Sequence, residues 1–254
     1  MSISNEAELK AMQKVSDIVA ITLREMREYT RPGMTTGHID EYGGNILKKF
    51  GARSAPASTY GFPGNTCISL NNEIAHGIPS ASRIIREGDL INIDVSAEYG
   101  GYWSDNGGSF IAGQDIHQLQ HLVDTSKDVL SKAISGIRNG VRIADIGHII
   151  ETGAKAAGYK VIRNLAGHGV GSSLHEQPNN ILNYKEKLDY RKFRKNTVVA
   201  IETFISTASY LAVELKDGWT LAGNKGGYTA QHEHTIVVTD GSPIILTEKN
   251  NIWN

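Results

Sequence analysis

Four acidic side chains and one histidine stand in stretches that are otherwise mostly apolar or small. They are Asp94 and Asp105 in INIDVSAEYGGYWSDNGGSF, His168 in AGHGVGSSLHEQP, Glu202 in VVAIETF and Glu233 in AQHEHTIVVT. Taken singly, each acid reads as a solvated strand residue or a salt-bridge partner. Taken together they pose a charge problem, because a carboxylate buried without a partner is very costly. Two divalent ions carry the four positive charges that would balance them. Oxygen-rich donors with one imidazole suit first-row dications such as Mn, Fe, Co or Zn.

The two aspartates sharpen the point. Ile91, Ile93 and Val95 alternate with Asn92, Asp94 and Ser96, the period of a half-buried strand. The run Glu98-Tyr99-Gly100-Gly101 supplies a turn, because glycine tolerates the positive φ that hairpins demand. A hairpin folded about Tyr99-Gly100 would set Asp94 directly opposite Asp105. Like charges on one rung repel, by roughly 3 kcal/mol at ~5 Å and an effective dielectric of ~20. Shared cations would make that pairing tolerable.

Other chemistries fit less well. GHGVG fails the dinucleotide pattern, since Ser172 stands where the third glycine belongs. HEQPN is no zincin motif: no histidine follows His175 by four residues, and Pro178 would disrupt the helix. There is no G-x-S-x-G elbow, and Cys67 reads as a small core or pocket residue. His38, His117, His121 and His148 fall in helical or polar stretches and read as surface residues. His232 and His234 flank Glu233, so alternation turns both to the opposite face, in structural roles.

What must position the acids is partly visible as a repeat. Arg31, Gly33, Ile39 and Gly51 recur as Arg138, Gly140, Ile146 and Gly158, each 107 positions later. Both segments read as a turn and a helix that stops at glycine. REGDLINID (86–94) aligns with RKNTVVAIE (194–202) at an offset of 108. Asp94 and Glu202 therefore take equivalent places, each expected at the end of a buried strand, in two halves of roughly 1–111 and 112–254. A pseudo-twofold α+β domain would bring the carboxylates together near its axis. Ahead of the repeat, Leu9, Met12, Val15, Val19 and Met26 form a helical stripe, with Asn5 and Glu8 spaced as a capping pair.

Composition excludes more than it assigns. A formal charge of −1 and a pI near 6.8 give no basic field for nucleic acid or anionic membrane. No apolar run approaches the ~18 residues of a membrane span. One cysteine excludes an internal disulfide and favours a reducing compartment. The expectation is a cytoplasmic protein with no signal-peptide layout and 40% apolar residues, ample for a core.

At this point the residues resemble a known family. NNEIAHGIPS, NIDVSAEYGGYWSDNG, GHGVGSSLHEQP, AIETF and AQHEHTIVVT are similar, in order and spacing, to the motifs of type I methionine aminopeptidases, over nearly the whole chain. Aspartates eleven apart, GHGxG with histidine seven residues on, and glutamates thirty-one apart make a specific set. The resemblance implies the pita-bread fold: one catalytic domain over 1–254, with two pseudo-symmetric halves around a curved antiparallel sheet flanked by helices. It implies two divalent metal ions, with Asp105 and Glu233 bridging, His168 and Glu202 completing the first site, and Asp94 holding the second. A water shared by the two ions would lose its proton near neutral pH.

By the same resemblance, Glu202 is the proton shuttle. His76 and His175 match two non-ligand histidines that bond the substrate amide and the tetrahedral oxyanion. Thr59, Phe62, Cys67, Leu174 and Trp219 match the pocket for the methionine side chain. Two positions depart from the family pattern: Thr203, where proline is usual, implying a less rigid strand end, and His232 before Glu233. The implied activity is removal of N-terminal methionine from nascent chains whose second residue is small, by a monomeric enzyme with the ribosome as a candidate partner. The alternatives are an X-Pro peptidase of the same fold, whose members usually carry an extra N-terminal domain, and a catalytically inactive pita-bread binding module.

Overall fold

A computed structural model describes residues 1–253. The first half runs α1 (Glu6–Tyr29), α2 (Thr36–Phe50), β1 (Arg53–Ser54), α3 (Ala55–Tyr60), β2 (Cys67–Leu70), β3 (Glu73–Ala75), β4 (Leu90–Tyr99) and β5 (Tyr102–Ile111). The second begins with α4 (Gln120–Ser135), α5 (Ile143–Ala156), β6 (Lys160–Val161), β7 (Ala166–Gly169) and β8 (Glu176–Leu182). It continues with β9 (Val198–Ser206), β10 (Ala212–Glu214), β11 (Leu221–Gly223), β12 (Thr229–Val237) and β13 (Ile244–Ile245).

Local chemistry explains the helices. The Asn5 side chain accepts the Glu8 N–H at 3.0 Å, and the Glu8 carboxylate accepts the Ser4 N–H at 2.7 Å, so two amides at the start of α1 are satisfied. Met12, Val15, Val19 and Met26 are fully buried along its inner face, with Leu9 half-buried beside them. α2 starts under the Thr35 hydroxyl and stops at Gly51, whose φ of 75° is the left-handed C-cap.

The main sheet is antiparallel throughout, with the order β1-β4-β5-β12-β9-β7-β8. Ile91, Ile93, Val95 and Ala97 of β4 and Val199, Ile201 and Ile205 of β9 join α1, α2, α4 and α5 in one buried apolar cluster. Burying each such isoleucine is worth roughly 1.5–3 kcal/mol. Because strand side chains alternate, that burial turns Asp94 and Glu202 to the face away from the helices.

The repeat has matching backbone bonds. Gly88 and Asn196 both have positive φ, 80° and 66°. The turn bonds Asp89 N–H to Arg86 O and Thr197 N–H to Arg194 O are both 3.2 Å. Gly33 N–H reaches Ile85 O at 2.8 Å, and Gly140 N–H reaches Phe193 O at 2.9 Å. Each pair is offset by 107 or 108 residues.

Two expectations are corrected. Asp94 and Glu202 lie in mid-strand, because the apolar alternation continues past both acids to Tyr99 and Ser206. The hairpin closes over Gly100-Gly101, with φ of 63° and 84°, and Tyr99 faces Tyr102. A two-residue hairpin loop of this kind needs positive φ at both central positions, which moves the turn one residue along. Asp94 then faces Gly107, and Ser96 faces Asp105. The register differs by two residues, a full strand period, so both carboxylates keep their face.

His168 needs equally close backbones. A Cβ on Gly167 would lie 2.5 Å from the Ala200 carbonyl oxygen, and one on Gly169 would meet the Gln177 carbonyl. Gly167→Ala is expected to destabilise the protein by ~1–3 kcal/mol, read as a lower urea midpoint. An unchanged midpoint would show that β7 can retreat from β9.

Candidate functional site

Five consecutive strands of the main sheet supply the five predicted donors. In sheet order β4-β5-β12-β9-β7 they are Asp94, Asp105, Glu233, Glu202 and His168. All five line one cavity of about 110 Å³, room for roughly four waters at ~30 Å³ each. Asp105, His168 and Glu233 form the deepest group: they are 6%, 5% and 1% exposed, and one donor atom from each lies within 4.8 Å of the others. Asp94 and Glu202 are half-buried beside them, outside that tight group. The directly opposed carboxylates belong to the second half, where Glu202 and Glu233 are register partners.

The electrostatics follow from this crowding. Burial raises Asp94 to a pKa of about 6. Burial pushes Asp105 well above the usual carboxylate range, and Glu233 and Asp94 push it further. Glu202 is raised by burial and then by Asp94 and Asp105, and Glu233 by burial and then by Glu202 and Asp94. His168 goes the other way, to about 3, because burial and the neighbouring His175 disfavour its cation. Burial lowers His76, and burial with His76 lowers His175.

The donor set fits a metal. The buried oxygens Asp105 Oδ1 and Glu233 Oε1 have no hydrogen-bond partner, a state that protein interiors rarely leave uncompensated. His168 Nδ1 lies 2.9 Å from the Gly169 carbonyl and donates to it. Its Nε2 lone pair is therefore free, 3.7 Å from Asp105 Oδ2; a backbone carbonyl often fixes a ligating histidine in this way. Among the described residues, no lysine or arginine lines the cavity.

The other predicted residues divide. Phe62, Cys67, Leu174, Trp219, His76 and His175 line the same cavity. Phe62 and Trp219 meet edge to face, ring centres 5.3 Å apart. Thr59 does not line it: that side chain is exposed on α3. The wall is formed by Pro56 and Tyr60, four residues apart on one helical face, with Thr59 turned off it. The sequence reading missed both, and Ser96 of the floor. Spacing by four was the available signal for Pro56 and Tyr60, had the short helix been foreseen.

The four histidines expected at the surface are exposed. His232 and His234 point away from the cavity. His232 Nδ1 is 2.9 Å from Ser126 Oγ, and His234 Nδ1 is 2.8 Å from Thr247 Oγ1. Thr203 is fully buried in mid-strand opposite His232 rather than at a loose strand end. Ser126 Oγ reaches it at 3.3 Å, so the two departures from the family pattern form one buried network.

Comparison with known proteins gives a consistent picture. The family model of metallopeptidase family M24 matches residues 10–240. Methionine aminopeptidase 2 of Bacillus subtilis is 45% identical, over 98% of this chain and 100% of its own length. The crystal structure of a methionine aminopeptidase from Thermotoga maritima superposes with a TM-score of 0.92 at 35% identity, covering 97% of this chain and 99% of its own. A prolidase from Pyrococcus horikoshii shares the fold alone, with a TM-score of 0.75 at 22% identity, and this chain spans 63% of it.

The raised carboxylates fix the sign of a stability effect. In the metal-free fold they hold protons that the unfolded chain has lost above pH ~4. Their contribution therefore falls as pH rises from there through about 6 for Asp94 and beyond for the others. A dication must displace those protons. Mn or Co at one fixed concentration, ~100 times its Kd at about pH 7.5, is expected to add ~3 kcal/mol there, and its gain in Tm is expected to be smaller at about pH 5.5, where protons compete. Calorimetry at the two pH values checks this; equal gains would contradict proton displacement.

Proposed function

This chain belongs to metallopeptidase family M24, within its type I methionine aminopeptidases, and on that premise we propose that it removes N-terminal methionine from nascent chains whose second residue is small. The observation that carries the reading is the buried Asp105-His168-Glu233 group at the floor of a cavity walled by Phe62, Cys67, Leu174 and Trp219. Its fold is the pita-bread α+β architecture, in which we read 1–254 as one catalytic domain with halves of roughly 1–111 and 112–254.

In this proposal two divalent ions, from Co, Mn, Fe or Zn, are held by five side chains. Asp105 and Glu233 would be shared between the ions, His168 and Glu202 would hold one, and Asp94 would hold the other. When bound, such ions supply Lewis-acid polarisation of the scissile carbonyl and acidify water. Glu202 is the proton shuttle: half-buried, with a pKa raised by burial and by the two aspartates, it takes a proton from the attacking water and hands it to the leaving amine. His76 and His175 line the cavity with their cations disfavoured, His76 by desolvation and His175 by desolvation and by His76, and hydrogen-bond the substrate amide and the carbonyl oxygen as it gains charge. His76 has a positive φ of 55°, a strained conformation of the kind that clusters at functional sites.

Phe62, Cys67, Leu174 and Trp219 receive the thioether, whose soft sulfur packs well against aromatic edges. The substrate's free α-amine, held at the Asp94 end, limits cleavage to one residue. The natural substrates are nascent polypeptide N-termini, with a monomer acting in the cytoplasm and the ribosome as the neighbouring partner. No helix of the described residues is long and apolar enough to cross a membrane.

Met-Ala-Ser is expected to be cleaved while Met-Leu-Ser and Ala-Pro-Ala are not. Selective Xaa-Pro cleavage, or no turnover with any added dication, would replace this reading with the prolidase-like or inactive one. Glu202→Gln is expected to lower kcat by ~10²–10⁴-fold, with metal content followed by elemental analysis. Wild-type rates from a metal-loaded Gln variant would remove the shuttle role. His175→Ala should depress kcat more than metal content.

A further inference from the structure

Tyr60 is the residue at the mouth of the cavity that neither the motifs nor the proposed chemistry has used. Its hydroxyl lies 2.7 Å from Nδ1 of His175, 115 residues away in sequence, with ring centres 5.7 Å apart. On its other side the His175 ring lies 4.1 Å from that of His168. Tyr60 closes the short helix α3 and is held by caps at both ends. The Ser54 hydroxyl accepts the Ala57 N–H at 3.3 Å, and Gly61, at φ 74°, returns its N–H to Ala57 O at 3.1 Å. The phenol is thus presented from a fixed frame rather than from a loose loop.

We propose that Tyr60 is a positioning residue that holds His175 as the tautomer protonated at Nε2, so that an N–H rather than a lone pair serves the reacting carbonyl. A neutral imidazole has one N–H and one lone pair, and the Tyr60 contact decides which nitrogen carries which. If Nδ1 bore the hydrogen and donated to the phenol oxygen, the Nε2 lone pair would remain for the cavity. That arrangement would set the weaker donor, an imidazole N–H, against the weaker acceptor, a phenol oxygen, whereas O–H···N at 2.7 Å pairs the more acidic phenol with the more basic imidazole lone pair. The phenol O–H therefore donates to Nδ1, and Nε2 keeps the hydrogen. A donor is also what a carbonyl oxygen requires as it becomes an oxyanion. The exposed Thr59 cannot substitute, since it lies off the cavity-facing side of the helix.

This inference rests on the proposed role of His175, and its test separates the two. Zinc-loaded protein labelled with ¹⁵N in histidine would be examined by long-range ¹H–¹⁵N correlation, with the His175 signals identified by their loss in His175→Gln. The expected result is Nε2–H in the wild type, giving way to a mixture of tautomers in Tyr60→Phe. With the same variant kcat for a methionyl peptide should fall by about five- to tenfold, while KM and metal content stay within about twofold. Nδ1–H in the wild type, or an unaltered tautomer in Tyr60→Phe, overturns the proposal; so does an unaltered kcat. Loss of turnover in His175→Ala alongside any of those results would leave the aminopeptidase reading intact and remove only the role of Tyr60.

Discussion

Four carboxylates withdrawn from water onto one face of a sheet, with no lysine or arginine among the described residues lining the cavity they share, impose the constraint that organises this molecule. Hydrogen bonding relieves it only in part. Gln231 Nε2 donates to Glu233 Oε2 at 3.1 Å. Asp105 Oδ1 and Glu233 Oε1 are left without partners. An interior of low dielectric makes that negative charge strong, so it is neutralised either by protons or by cations. The same crowding that would destabilise the bare fold supplies affinity for divalent metal.

Such a charge cluster stays together only if its backbone cannot yield. The acid-bearing strands are tied down from behind and beside the site. Thr235 Oγ1 accepts the Asp105 N–H at 3.1 Å and donates to the Asp105 carbonyl at 2.7 Å. On the helix side, Thr203 and His232, which face each other across one rung, meet through Ser126 of α4. These bonds sit one residue from Glu202 and Glu233. The repeat contributes a symmetric backbone to an asymmetric site. Gly88 N–H to Ala112 O and Asn196 N–H to Val238 O are both 2.8 Å, so Gly107 and Glu233 hold corresponding places opposite Asp94 and Glu202. Where the second half carries its carboxylate, the first has a glycine. The space beside that glycine is taken by the Gln231 side chain, whose amide oxygen accepts from Asn92 at 2.7 Å while its nitrogen serves Glu233.

Most of the floor of the site was legible in the sequence because strand periodicity decides which face a residue takes, and a face survives errors in register. The hairpin shows this directly. Reading its turn at Tyr99-Gly100 rather than Gly100-Gly101 misplaced every cross-strand pair by two positions, yet left Asp94 and Asp105 on the correct side. The helix-facing histidines were legible for the same reason. The walls were less so. Thr59 and Tyr60 are adjacent in sequence, and only the helical pitch of the six-residue α3 decides which reaches the cavity. Nothing in GARSAPASTYGFPG announces that helix strongly, apart from a serine cap and a proline in its first turn. The pairing of Thr203 with His232 was hidden too, because cross-strand register between distant segments depends on the whole sheet.

Floor and walls thus differ in how they are held. Asp94, Asp105, His168, Glu202 and Glu233 sit on adjacent strands of one sheet, where a shift of any one would break ladder bonds on both sides. The cavity wall hangs in part from side-chain bonds. Asp40 of α2, 7% exposed, accepts the backbone N–H groups of Asn65 and Thr66, the Asn65 amide and the Thr66 hydroxyl, at 2.7 to 3.1 Å. That one carboxylate fixes the loop from Phe62 to Cys67, both of which line the cavity. It needs no cation, because four donors already satisfy it, and so it stands in contrast to the acids on the floor. A wall anchored at one point can change its residues without disturbing the donor set.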